Sequence, residues 1–196
     1  MKLTLASKSA ARTTVLSGAG VPFATAGAGV DEDAVKRTLL AEGAGPKEIA
    51  GALAEAKAVA VSTGREGLVI GADQTLDLNG ELYDKVDTIE AARARLLALR
   101  GKPHQLHSAV AVAEAGRIVW RETVSATLTM REFSEAFLEV YLAEEGEAAL
   151  GSVGCYRLEG PGVQLFSKIQ GDYFTILGLP LMGLLEFLRQ KGVLVA

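Results

Sequence analysis

Cysteine is almost missing from this chain of 196 residues: Cys155 stands alone. That excludes an internal disulfide framework and a clustered cysteine metal site. Histidine is nearly as scarce, with only His104 and His107. Three apart on a strand, the two face opposite ways, which argues against a shared metal. Basic runs are lacking too. Lys and Arg number 20 against 24 Asp and Glu, a net charge of −4, which speaks against a non-specific nucleic-acid binder. One phosphorylated small molecule held by a few cations remains compatible with that balance. No apolar stretch is long enough to span a bilayer. The opening MKLTLASKSAAR lacks the apolar core and cleavage pattern of a signal peptide, so a cytoplasmic protein is expected. Ala26 to Val30, AGAGV, lacks the third glycine and the helix pattern of a dinucleotide fingerprint. There is no internal repeat, low-complexity tract or obvious linker.

What is present can bury a core: 49% of residues are hydrophobic and 22% charged. Lys2 to Ala6 alternates as a short strand, and Ser7 or Ser9 can cap a helix to about Ser17. Val21 to Thr25 reads as a second strand and Asp33 to Ala41 as a helix. Pro46 opens another helix to about Ser62, with Ile49, Leu53, Ala56 and Ala60 on one face. Leu68 to Ala72 is an apolar run suited to a buried strand, continuing toward Leu78, where Asn79-Gly80 signals a hairpin returning over 81–83. Asp87 and Glu90 form a capping box for a helix to about Leu99. His107 to Ala113 and Arg117 to Thr129 alternate around Ala115-Gly116, with Trp120 a packing residue. Ser134 caps a helix with Phe137, Leu138, Tyr141 and Leu142 inward. Gly151 to Gly162 is loop-like, Val163 to Ile169 strand-like, and Pro180 opens the last helix. The interleaving predicts an α/β class with a mixed sheet and flanking helices.

The strongest chemical clue is Asp73, at the carboxyl end of an apolar strand, where open α/β sheets hold their ligands. It is a candidate metal ligand or general base; a turn Asp capping local backbone is the plain alternative. Glu32 lies between a strand and a helix, Lys57 on an Ala-rich helix, Lys85 after the hairpin, and Arg12 near the start of the first helix. Each has a bland reading as a dipole-favoured or solvated residue. Together they are what triphosphate hydrolysis needs. Carboxylates hold a divalent ion and orient water, and cations neutralise charge developing on departing pyrophosphate.

In order along the chain, L-A-S-K-S-A-A-R (Leu5 to Arg12), V-D-E (Val30 to Glu32), E-A-K-A (Glu55 to Ala58), V-I-G-A-D-Q (Val69 to Gln74), L-N-G-E (Leu78 to Glu81) and G-D-Y-F-T-I-L-G-L-P-L (Gly171 to Leu181) resemble the blocks of the Maf nucleotide pyrophosphatases, once named septum-formation inhibitors. The resemblance spans nearly the whole chain. It implies one domain over 1–196, with two lobes around a central cleft and a fold similar to inosine triphosphatase. It implies a homodimer and divalent-metal-assisted hydrolysis, with Mg²⁺ or Mn²⁺, of a nucleoside triphosphate to monophosphate and pyrophosphate. Position by position, Asp73 matches the catalytic carboxylate, shared with Glu32 as metal ligand; Ser7, Arg12, Lys57 and Lys85 match substrate-binding positions. Ala10 and Ala11 replace a proline and an arginine or bulky aromatic, and Asp84-Lys85-Val86 replaces the usual G-K-P.

Ala11, Gln74 and Glu159 are the expected specificity positions. Gln74 and Glu159 resemble the branch acting on 7-methyl-GTP. Guanine offers a ring N–H and an amino group on one edge, and a carboxylate accepts both. A uracil or thymine edge places carbonyl oxygens beside its N–H, so a carboxylate would be repelled. The alternatives are a dTTP/UTP pyrophosphatase of the same family and a non-catalytic regulator of cell division.

Overall fold

A computed structural model describes residues 2–195. Its strands are β1 (Leu3–Ala6), β2 (Ala24–Thr25), β3 (Leu68–Leu78), β4 (Glu81–Tyr83), β5 (Pro103–Glu114), β6 (Arg117–Met130) and β7 (Phe166–Gln170). They form one seven-stranded sheet in the order β2-β1-β3-β5-β6-β7, with β4 pairing β3 off that path. β1 runs parallel to β2 and β3; the other pairings are antiparallel. The expected mixed α/β class is therefore the class of the fold.

The helices are α1 (Ala10–Gly18), α2 (Glu32–Ala41), α3 (Pro46–Ser62), α4 (Ile89–Leu99), α5 (Glu135–Glu145), α6 (Tyr173–Ile176) and α7 (Leu181–Gln190). Their starts follow local chemistry. The Ser9, Asp31 and Ser134 side chains accept from the backbone N–H three residues on, at Arg12, Ala34 and Phe137. Pro46 occupies the first turn of α3, and the Glu48 carboxylate reaches back to the Gly45 N–H at 2.8 Å. Thr88, not Asp87, caps α4: Thr88 is the last extended residue, and its hydroxyl accepts from Ala91 N at 3.1 Å.

Two strand expectations shift, and one short helix was not anticipated. The strand expected over 21–25 is only Ala24–Thr25, because Pro22 offers no N–H to a ladder. The strand expected from Val163 begins at Phe166, because Pro161 opens a 3₁₀ turn over Pro161–Leu165. The short α6 had no periodic signal.

β3, β5 and β6 are long enough to carry two separate cores on one face. Even-numbered residues of their one end, Ile70, Ala72, Val110 and Val112, pack with Leu5, Leu16, Leu184 and Phe187. Even-numbered residues of the other end, Leu76, Leu106 and Leu128, pack with Leu96, Leu138 and Tyr141. Between them the face is polar, at Gln74 and Ser108. The odd face is covered by α3 largely through alanines, Ala50, Ala54 and Ala58 against Ala109, Ala111 and Ala113, with Val59 and Ile118 at the margin. Gly71 permits that closeness, since a Cβ there would collide with Ala54 O and Ala58.

Candidate active site

The site lies where one edge of β3 changes partners. β1 pairs that strand as far as Ala6 opposite Gly71, and β4 takes over from Leu76 opposite Tyr83. Asp73 and Gln74 fall in the gap. The loop leaving β1 (Ser7–Ser9) and the loop leaving β4 (Asp84–Lys85) open beside it. A cleft of about 1180 Å³ results, and Ser7, Ala11, Arg12, Glu32, Lys57, Asp73, Gln74, Lys85 and Glu159 all line it. The structure thus brings together every site residue named from the sequence.

At its floor Lys57 Nζ sits 2.6 Å from Asp73 Oδ1 and 2.9 Å from Glu32 Oε1. Lys57 is 6% exposed and Asp73 8%, so this lysine is no solvated helix residue. The buried stripe of α3 is Ile49, Ala50, Leu53, Ala54, Lys57 and Ala58; Ala56 and Ala60 lie outside it. Steps of four from Ile49 through Leu53 arrive at Lys57, which carries the ammonium onto β3. The other oxygen of each carboxylate, Asp73 Oδ2 and Glu32 Oε2, receives no side-chain hydrogen bond among the described residues. No group of three or more His, Cys, Asp or Glu placed to hold a metal occurs among those residues. Two carboxylates of this kind fit a divalent ion completed by phosphate oxygens and water, rather than an all-protein cage.

Arg12 approaches from the first turn of α1. Its Nε donates to Gly178 O at 2.8 Å and Nη1 to Ser7 Oγ at 3.3 Å. Ser7 Oγ also accepts from Ser9 N at 3.2 Å, folding the loop against the helix start. Burial lowers the Arg12 pKa from its ordinary value, and Asp73 and then Glu32 oppose the shift. Burial also lowers that of Lys85, with Arg12 adding to the effect and Asp73 and Glu32 opposing it. Charges that strain against one another in this way suit an anion with several negative oxygens.

Gln74 reaches across the polar band on the even face. Its Nε2 lies within hydrogen-bond distance of Ser108 Oγ (2.9 Å), Ile176 O (3.0 Å) and Thr175 O (3.1 Å). Its two N–H groups are therefore engaged inside the protein, and its carbonyl oxygen is the part left for a ligand. The Gly171–Leu181 block, used in the sequence only for resemblance, is thus a wall of the site, positioned by both Arg12 and Gln74. Tyr173 lines the cleft there, exposed. Glu159 is exposed on the opposite rim. Its loop is anchored by Arg157, which makes a two-pronged pair with the buried Glu145 at 2.8 and 3.1 Å, and by Tyr156, whose hydroxyl lies 2.7 Å from His104 Nε2. Arg157 lines the cleft too, although within Tyr156 to Gly160 the sequence points only to Glu159 as a site residue.

Comparison with known proteins matches residues 2–191 to the Maf-like protein family. The chain belongs to that family. Relatives of this Maf-like chain include a protein of Caulobacter vibrioides named nucleoside triphosphate pyrophosphatase, 62% identical over 98% of this chain and 96% of its own length. Another is a protein of Brucella abortus named 7-methyl-GTP pyrophosphatase, 50% identical over 97% of this chain and 96% of its own. Among solved structures, the Staphylococcus aureus Ham1 protein aligns with a TM-score of 0.36 and 16% identity over 69% of this chain and 73% of that one, a likeness too slight to build on.

Proposed function

We propose that this Maf-like chain is a nucleoside triphosphate pyrophosphatase, and that 7-methyl-GTP is its preferred nucleotide. The observation that carries the reading is the convergence of two carboxylates, Asp73 and Glu32, with three cations, Arg12, Lys57 and Lys85, on one cleft. Arg12, Lys85 and the Ser7 loop bind the non-bridging phosphate oxygens. Lys57 fixes the orientation of the Asp73 carboxylate. Asp73 accepts a proton from a water that attacks the α-phosphorus. The new bond joins that water's oxygen to phosphorus, the bond to the bridging oxygen breaks, and its electron pair leaves with pyrophosphate. A divalent cation, Mg²⁺ or Mn²⁺, held by Asp73 and Glu32 would neutralise phosphate charge and acidify a nearby water. The names of the relatives support the reaction, at 50 to 62% identity.

Glu159 supports the choice of base. A carboxylate on the rim accepts from the N–H and amino group of guanine, and it favours the positive charge of a 7-methylated ring. The homodimer and the cytoplasmic location are part of the same proposal; the homodimer rests on the family resemblance, and sedimentation tests it. Pyrophosphate release from 7-methyl-GTP, dTTP and UTP with each metal tests the activity. Higher kcat/KM for 7-methyl-GTP supports the reading. Better turnover of dTTP or UTP overturns the preference and leaves the reaction standing, whereas no release from any nucleotide favours a non-catalytic regulator.

A further inference from the structure

Asp84 stands where a glycine precedes the lysine in the resembled pattern, and the structure shows what it does. Its carboxylate is 2.7 Å from Lys36 Nζ on α2. The same lysine is 3.6 Å from Asp33. The added negative charge is thus paired by Lys36 of α2, and Asp84, Lys36 and Lys85 all line the cleft.

The other end of Asp84 is held as well. Arg95, on α4, donates from Nη1 to Asp84 O at 2.8 Å and to Val153 O at 2.6 Å. Its guanidinium lies 4.5 Å from the centre of the Tyr83 ring. One planar head therefore bridges two loops that are 69 residues apart by their carbonyls, from Asp84 to Val153 (153 − 84). The first loop carries Lys85, and the second leads through Tyr156 and Arg157 to Glu159. Both line the cleft. A charged donor to two carbonyls, fixed by an aromatic face, is a stiff connection. Neither carbonyl belongs to a strand ladder, so neither loop has β-pairing to hold it in its place.

We propose that Arg95 is a positioning residue that couples the Lys85 loop to the Glu159 loop, so that the phosphate-gripping and base-reading sides of the cleft keep a fixed span. The base-reading part rests on the function proposed above; the coupling itself does not. Its consequence is that discrimination between nucleotides depends on a side chain that touches neither the base nor the phosphates. Arg93 provides a matched control: it lies on the same helix, but pairs outward with Glu135 and Glu139 at 2.9 and 2.7 Å.

The test compares Arg95→Ala, Arg95→Lys and Arg93→Ala by backbone nitrogen-15 relaxation of the unliganded protein. In Arg95→Ala, the order parameters of residues 84–88 and 152–158 should both fall below about 0.6, while those of β3 and β5 stay at about 0.85. Arg95→Lys should restore part of the order, and Arg93→Ala should leave both loops unchanged. A fall in one loop only, in neither, or equally in the Arg93 control would overturn the coupling. Kinetics provide the second readout. Arg95→Ala should lower the ratio of kcat/KM for 7-methyl-GTP over UTP by about tenfold, and a uniform loss on both nucleotides would overturn the specificity role. If the unaltered protein released no pyrophosphate at all, the function would fail while the relaxation measurement still decided the coupling.

Discussion

Asp73 has two demands placed on it: it must stay in contact with Lys57 and still face a water. Its burial and the 2.6 Å pair to Lys57 Nζ meet the first, and its place in the partner gap of β3 meets the second. Asp73→Asn keeps the shape and removes the proton acceptor, so kcat should fall by about 10²- to 10⁴-fold with an unchanged circular dichroism spectrum. Activity near that of the unaltered protein at saturating metal would remove Asp73 from the chemistry. Glu159→Gln acts on the other rim. It replaces a double acceptor by a group that is half donor, and should narrow the kcat/KM gap between 7-methyl-GTP and UTP. Because Glu159 is exposed, the change should be about tenfold rather than the several powers of ten seen where a site buries such a contact. An unaltered gap would place Glu159 outside base recognition.

At the scale of elements, the site depends on how closely α3 lies on the sheet. Alanine faces alanine across that interface, and Gly71 leaves room for the carbonyl of Ala54. Gly71→Ala forces α3 outward, which costs about 1–3 kcal/mol of stability by overpacking. It also moves Lys57 away from Asp73, so urea unfolding and turnover should both report the substitution. A variant as stable and active as the unaltered protein would show that the contact is slack. This interface was half legible in the sequence. Pro46 and Ser62 marked the helix, but a stripe drawn through Ala56 and Ala60 left Lys57 outside, because alanine carries no hydrophobic contrast to fix the phase. Ile49 and Leu53 alone held the phase. Asp73 was legible because an apolar run ends at it. The Arg95 bridge and the α6 wall were not, since each joins segments far apart in the chain, and the stretch between Glu145 and Arg157 carries no periodic pattern to bring that pair together. The resemblance of Gly171 to Leu181 identified that block without locating it.

For the whole molecule, acid stability draws on a buried histidine outside the cleft lining. His104 is 2% exposed, and its Nε2 lies 2.7 Å from the Tyr156 hydroxyl. Burial pushes its pKa down from 6.5 to about 4. Below pH 6.5 the unfolded chain takes up a proton that the folded chain refuses until about pH 4. Stability is therefore full above the upper value and is lost as pH falls between the two, by about 3 kcal/mol. His107 on the other face is lowered as well by burial, against the pull of Asp77, and adds in the same direction. His104→Gln should flatten the pH dependence of urea unfolding across this window, and an identical slope in the variant would contradict the assignment.

The two cores at opposite ends of the long strands, with a polar band between them, leave a cleft lined by Arg12, Lys85 and Glu159. In the proposed reaction water attacks the α-phosphorus under the control of Asp73. Hydrolysis of 7-methyl-GTP in heavy-oxygen water, with early products separated and weighed by mass spectrometry, tests this directly. The label should appear in the nucleoside monophosphate, beside unlabelled pyrophosphate. Label in pyrophosphate or orthophosphate, or a nucleoside diphosphate as the first product, would contradict it.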